Sequence, residues 1–394
     1  MSHRIASVIR GVWINAGVAL LVILVIEGAF QAFFLIRDRG RPVFSVVTVD
    51  RMRAANPGQA WTEEYPRELV AAVQERWRSY VYWRARPHRG KLINIDAQGL
   101  RKTWNASPTP TPSGAKVFMF GGSTLWGYGA RDDYTIPSLV SRRLASVLPA
   151  APYVVNFGEP GYVTTQELIT LMLELRAGNV PDVVVFYDGV NDAWSAFQNE
   201  VAGLPQNEGN RVLEFNSRNR VAWRRGVLEK VGLYRFTRGV LGSLGATPAE
   251  GASRRFLAPT LAAATVDTYF ANVRLVNMLA REYGFRAVFY WQPTIYSKRV
   301  LSPDEERWRL TGSRMGRRGG GTPLFADEYR AFNEAFRKKM QSSRIDNVYD
   351  LSATFENDAR TIFIDRFHIS EPGNDKVAEA MIATLQGIVA GVKR

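Results

Sequence analysis

Five short runs of nearly continuous apolar residues constrain this chain more than any other feature. They read "AKVFMF" at 115–120, "YVVNF" at 153–157, "DVVVFY" at 182–187, "RAVFYW" at 286–291 and "NVYDL" at 347–351. A strand with one wet face alternates apolar and polar residues, so a run without alternation predicts a strand covered on both faces. Between the runs the apolar period lengthens to that of a helix. "YTIPSLVSRRLASVL" predicts a helix with Thr135 as N-cap and Pro137 in the first turn. "TTQELITLMLELRAG" predicts one capped by Thr164 and ended by Gly178. Further helices are expected around Val266–Tyr283, over "ADEYRAFNEAFRKKM" and from about Gly373 to Ala390. Strand and helix in alternation imply an α/β fold, a three-layer α/β/α sandwich on a central parallel sheet of about five strands.

The residues before this pattern divide in two. From Gly11 to Ile36 the only ionisable side chain is Glu27, and the segment is long enough to cross a hydrocarbon core. Its apolar residues cover every face and continue past Glu27 to Phe33, Phe34 and Leu35. That favours an uncleaved N-terminal transmembrane helix, in the bilayer through residues 12–36, over a cleaved signal peptide. Glu27 inside the span either meets a membrane-protein partner or sits shallow and snorkels. Arg4 and Arg10 precede the span and Arg37, Arg39 and Arg41 follow it, so charge does not decide orientation. A single anchor before one large domain suits export, and the main domain is expected on the extracytoplasmic, periplasmic side. The expected organisation is a membrane anchor at 1–41, a lead-in and linker at 42–114, and a main domain at 115–394. The lead-in holds an acidic-aromatic helical stretch, "WTEEYPRELVAAVQERWRSYVYWR", and closes on the linker "ASPTPTPSG". Insertions interrupt the main domain at about 197–259 and 302–322. The first contains the basic-aromatic "RNRVAWRRGVLEKVGLYRF", read as a lid helix with a solvated basic face; the second ends in "GRRGGG", read as a loop.

Chemistry is sought at the carboxyl ends of the strands, where open parallel sheets bind their ligands. The first end gives Gly121, Gly122, Ser123 and Thr124; the second gives "NFGEPGY"; the third gives "DGVND"; the last strand is followed by "DRFH". A serine hydroxyl attacks only when a base takes its proton, histidine is the base suited to neutral pH, and aspartate orients the imidazole. Asp365 and His368 stand three residues apart, so one turn of chain places both on one side. Donors for a developing oxyanion are available from the backbone N–H of Ser123 and Gly161 and the side-chain amide of Asn191.

These blocks resemble the SGNH hydrolases, the GDSL esterase/lipase superfamily, in a membrane-anchored bacterial form. "GGST" matches the first block, Gly161 the second, Gly189–Asp192 the third and Asp365/His368 the last, across about Lys116 to the C-terminus apart from the insertions. The resemblance implies a flavodoxin-like sheet, catalytic Ser123, Asp365 and His368, and an oxyanion hole of Ser123, Gly161 and Asn191. Gly122, Gly189 and Asp192 support these residues. Where the family usually has aspartate before the nucleophile, this chain has Gly122. An α/β-hydrolase would require Gly-x-Ser-x-Gly, and Leu125 stands where the last glycine belongs.

Composition trims the alternatives. The chain has no cysteine, which removes thiolate catalysis and disulfides, and only three histidines, His3, His88 and His368. Asp188 and Asp192 lack further ligands, so neither metal nor cofactor is expected. A formal charge of +14 favours anionic surfaces, but the basic residues form no nucleic-acid module, and no nucleic-acid partner is expected. The expected function is a serine esterase or acyltransferase working on O-acyl groups, acetyl foremost, of a cell-envelope carbohydrate or lipid. The alternative is a membrane-tethered binding or assembly protein on the same scaffold.

Overall fold

The computed structural model describes residues 2–39, 47–216, 250–315 and 325–392. The chain divides into two compact units, Met1–Ser45 with Gly209–Ala252, and Val46–Glu208 with Ser253–Arg394. In the first, helix α1 spans Ser2–Arg39, and its Arg10–Phe34 stretch is long and apolar enough to cross a membrane. Side chains such as Leu20, Leu21, Ile23 and Leu24 are exposed along it, as a lipid-facing helix requires. Glu27 accepts a hydrogen bond from the Gln31 amide one turn on, at 2.7 Å.

The second unit opens with helix α2 (Val49–Ala55), capped by the Thr48 hydroxyl, and helix α3 (Tyr65–Ala72). Two hairpins follow: β1 (Glu75–Arg78) with β2 (Tyr82–Ala85), and β3 (His88–Arg89) with β4 (Asn94–Ile95). The helical stretch expected over 61–84 is therefore corrected: its first half is helical and its second half is the hairpin. Trp77 pairs with Trp83 across the first hairpin, and Tyr80 and Tyr82 take left-handed φ of 71° and 73° at its turn. Aromatic side chains at alternate positions pack well on a strand surface, and that outweighs the helical propensity of the flanking residues.

The sheet contains β5 (Lys116–Gly121), β6 (Tyr153–Asn156), β7 (Val183–Asp188), β8 (Arg286–Trp291) and β9 (Val348–Asp350). All neighbours are parallel and the order is β6-β5-β7-β8-β9, the flavodoxin-like arrangement. Every residue of β7 is buried, which accounts for its lack of alternation. One face of the sheet presents Phe118, Phe120, Phe186 and Phe289 to helices α6 (Thr164–Arg176), α9 (Glu250–Tyr283) and α11 (Phe325–Ser342). The other presents Val117, Met119, Val185 and Tyr290 to α5 (Ile136–Val147) and α12 (Glu371–Ala390). Two short helices follow strand ends, α4 (Ser123–Trp126) and α7 (Val190–Asn199); α8 is Glu208–Asn216 and α10 is Pro303–Met315. Truncating one of the stacked phenylalanines, such as Phe186, costs about 3–5 kcal/mol.

Two boundaries differ from expectation. Thr135 does cap α5, but α6 is capped at Val163, and Thr164 is its first residue. The Thr164 hydroxyl is drawn to Asp192 instead, and Gln166 returns its side chain to the Val163 N–H. The long helix expected from Val266 begins at Glu250 and passes through Pro259. The basic-aromatic stretch at 218–236 and the "GRRGGG" loop lie outside the described residues.

The lead-in is not a loose tether. Met52, Tyr65, Leu69, Ile93 and Ile95 form one buried cluster with Trp126, Tyr128 and Ile364, which lie at α4 and just before Asp365. In strand order the chain reverses direction between β5 and β7, and the carboxyl ends of those two strands carry the candidate site.

Candidate active site

Ser123 is the first residue of α4, directly after the end of β5. The turn is held by its own carbonyl, which accepts the N–H groups of Gly127 and Tyr128, and Gly127 ends the helix at φ +105°. This lifts a half-buried hydroxyl to the rim of the sheet. Its Oγ lies 2.7 Å from His368 Nε2, and His368 Nδ1 lies 2.5 Å from Asp365 Oδ2.

The Asp-x-x-His turn is self-supporting. Asp365 Oδ1 accepts the backbone N–H groups of Phe367 and His368 at 2.7 and 2.8 Å, leaving Oδ2 for the ring. Tyr128 packs on the imidazole at 4.4 Å between ring centroids. Burial works to raise the Asp365 carboxyl, but the charge of His368 and these hydrogen bonds outweigh it and hold the group below the usual carboxylate range. Arg51 of the lead-in donates to the Ile364 carbonyl at 3.3 Å, and its charge faces Asp365.

Asn191 sits in the first turn of α7, after Gly189. At φ +117°, and with Trp291 ring carbons 2.9 Å from where a Cβ would stand, position 189 admits only glycine. The Asn191 amide Nδ2 donates to the Tyr162 carbonyl at 2.8 Å, and its Oδ1 accepts from Gln206 at 3.4 Å. An amide nitrogen has two hydrogens, so one remains beyond the Tyr162 contact. Gly161, at φ +81°, adjoins Tyr162 in the same loop, and Gln206 lies 3.3 Å from its Cβ position. The relay of Ser123, His368 and Asp365 is thus joined by Asn191 beside Gly122, and Gly161 stands one residue from the carbonyl that Asn191 holds.

Asp192 does not join them. It is buried, accepts from Thr164 Oγ1 at 2.6 Å, and ties α7 to α6; burial raises its carboxyl to about 6. Asp188 and Glu167, also buried, are pushed well above the usual carboxylate range, Glu167 by burial and the nearness of Asp188 and Asp192. Among the described residues no group of histidine and carboxylate side chains is arranged to hold a metal.

Sequence reasoning missed Arg51, Trp83, Tyr128 and Gln206. Each lies in a loop or lead-in element and touches the site only through the tertiary fold, so no motif spacing marks it.

The model of the GDSL-like lipase/acylhydrolase family matches residues 117–381, about two thirds of the chain. The chain belongs to that family. As a GDSL-type protein it is a serine hydrolase acting on ester bonds. No curated protein matches it in sequence. Among solved structures it is similar to the acetyl xylan esterase AlAXEase, with 16% identity, 68% of this chain and 99% of that one covered, and a TM-score of 0.38. It is also similar to the lipase Lip_vut3 from a goat rumen metagenome, at 13%, 71% and 99%, with a TM-score of 0.41. A lipase/acylhydrolase from Enterococcus faecalis matches at 17%, 71% and 99%, with a TM-score of 0.36.

Proposed function

We propose that this GDSL hydrolase is a membrane-anchored esterase or acyltransferase. In this reading it acts on O-acyl groups, acetyl foremost, of a cell-envelope carbohydrate or lipid, with its catalytic unit on the extracytoplasmic, periplasmic side. The observation that supports the chemistry is the unbroken relay from Ser123 Oγ through His368 to Asp365, with contacts of 2.7 and 2.5 Å.

In this mechanism Ser123 Oγ attacks the ester carbonyl as its proton passes to His368 Nε2. Asp365, anionic and fixed by its own turn, keeps the other ring nitrogen protonated and stabilises the imidazolium. The backbone N–H groups of Ser123 and Gly161 and the second hydrogen of Asn191 Nδ2 receive the oxyanion. Collapse transfers the His368 proton to the leaving alcohol and leaves an acyl group on Ser123. Water or an acceptor hydroxyl then gives its proton to His368 and attacks that acyl group. The second collapse returns Oγ to Ser123 and the proton with it. Hydrolysis and transfer differ only in which hydroxyl attacks.

Membrane anchoring rests on α1, whose length, apolar composition and exposed Leu and Ile side chains fit a span, and Glu27 is where a membrane-protein partner would bind. The chemistry is tested by exposing the protein to a short acyl ester and mapping the adduct by mass spectrometry. An acyl mass on Ser123, absent in Ser123→Ala, is expected; undiminished turnover by Ser123→Ala overturns the reading. The location is tested by C-terminal fusions, with an active alkaline phosphatase expected, and a dark phosphatase beside a bright fluorescent-protein fusion as the contrary result.

A further inference from the structure

The β1/β2 hairpin reaches from the lead-in to the loop that joins β6 to α6, the loop carrying Gly161. Four contacts connect them. Trp83 Nε1 donates to the Pro160 carbonyl at 2.9 Å. The Tyr162 hydroxyl donates to the Trp83 carbonyl. Gln166 donates to the Val81 carbonyl at 2.8 Å. Arg84 and Glu159, both buried, pair at 3.4 Å. The Trp83 and Tyr162 rings meet edge to face at 5.4 Å, and Trp83 Cζ2 stands 3.3 Å from where a Gly161 Cβ would be.

The first contact bears directly on catalysis. The Pro160 carbonyl and the Gly161 N–H belong to one planar trans peptide unit, in which the two groups point in opposite directions. Anchoring the oxygen therefore aims the N–H. Glycine at 161, with φ +81° and no side chain, has the widest choice of backbone orientations of any residue, so without an external anchor this unit is the freest part of the site. The indole supplies that anchor from the β1/β2 hairpin, outside the five-stranded sheet.

We propose that Trp83 is a positioning residue for the oxyanion donor: its indole N–H holds the Pro160 carbonyl and thereby fixes the direction of the Gly161 N–H. Tyr162 completes the device by holding the Trp83 backbone in place. The inference rests on the esterase reading, in which Gly161 stabilises the oxyanion. Because a donor acts chiefly in the transition state, Trp83 governs kcat and not substrate affinity.

The test uses the full chain with Trp83→Phe, which keeps an aromatic ring toward Tyr162 and removes the N–H together with part of the indole's volume. Turnover of a p-nitrophenyl ester and inhibition by a boronic acid, which forms a tetrahedral adduct on the serine, are measured beside thermal melting. Removing an oxyanion donor outright costs about 10²–10³ in kcat, so misaiming one is expected to cost about tenfold, with KM within about twofold. Boronic acid affinity is expected to fall by the same factor as kcat/KM. A purely structural role lowers the melting temperature without this parallel. If Trp83→Phe fails to fold, Tyr162→Phe provides the same readout, with a smaller fall in kcat and an unchanged KM expected. Wild-type kcat and boronic acid affinity, or a change confined to KM, overturns the proposal. Ser123→Ala measured alongside separates the two claims: if it is dead while Trp83→Phe matches wild type, only the role of Trp83 is lost, whereas an active Ser123→Ala removes the esterase reading itself.

Discussion

Asn191 Nδ2 occupies the space that a side chain on Gly122 would need, lying 2.1 Å from the position of a Cβ there. The φ of Gly122 is −80°, open to any residue, so what a side chain here would meet is the Asn191 amide and not a backbone constraint.

Gly122→Ala is therefore expected to fold normally and lose activity. The added methyl displaces the Asn191 amide, and loss of one oxyanion donor costs about 10²–10³ in kcat. Gly122→Asp, although closer to the family pattern, is expected to do no better. Steady-state kinetics with a p-nitrophenyl ester check this, and wild-type kcat in Gly122→Ala would show that Asn191 is not displaced.

Asn191→Ala is expected to lower kcat by a similar factor with little change in KM. Combined with Gly122→Ala it is expected to add almost nothing, because both changes remove the same amide. Multiplicative losses in the double variant would mean the two positions act separately.

Glu159 gives the fold a pH dependence. Burial is the main influence and raises its carboxyl from 4.5 to about 7, even with Arg84 opposing. Between those values the folded protein keeps a proton that the unfolded chain releases, so this group's contribution falls as pH rises through that window. Above about pH 7 the full penalty is at most roughly 3 kcal/mol. Urea unfolding of Glu159→Gln is expected to show its stability improving relative to wild type from about pH 5 to about pH 8. Parallel profiles for the two proteins would contradict the assignment.

Two truncations are expected to behave differently. Removing residues 1–41 takes away the apolar helix and is expected to release an active protein from membranes, whereas the full chain resists carbonate and high-salt washing. Starting the chain at Ala115 instead also removes Met52, Tyr65, Leu69, Ile93 and Ile95, which cover Trp126, Tyr128 and Ile364. That product is expected to aggregate or lose activity, as read by solubility and ester turnover. A soluble, fully active 115–394 fragment would show that the lead-in is dispensable.

The central strands were legible because a fully buried parallel strand leaves a run of apolar letters that little else produces, as Val183–Phe186 do. Ser123, Asn191, Asp365 and His368 were legible because strand ends fix where such residues fall. Trp83 and Gln206 were not, since their proximity to Gly161 follows from how the hairpin and the loop after α7 come to rest. The hairpin was read as helix because the charged residues that flank its aromatics, Glu75, Arg76, Arg78 and Arg84, fit either period. Thr164 looked like a cap because threonine commonly is one; its hydroxyl is instead claimed by Asp192, twenty-eight positions away.

The nucleophile and its base are separated by 245 positions along the chain. Domains emerge from the ribosome amino end first, at about 5–20 residues per second. During that interval Ser123 has no imidazole to activate it. On the proposed mechanism a nascent fragment ending before His368 carries out no acyl chemistry, and activity waits for the last loop and final helix. On this reading, a nonsense mutation between residue 41 and that loop is expected to leave a chain without its catalytic base.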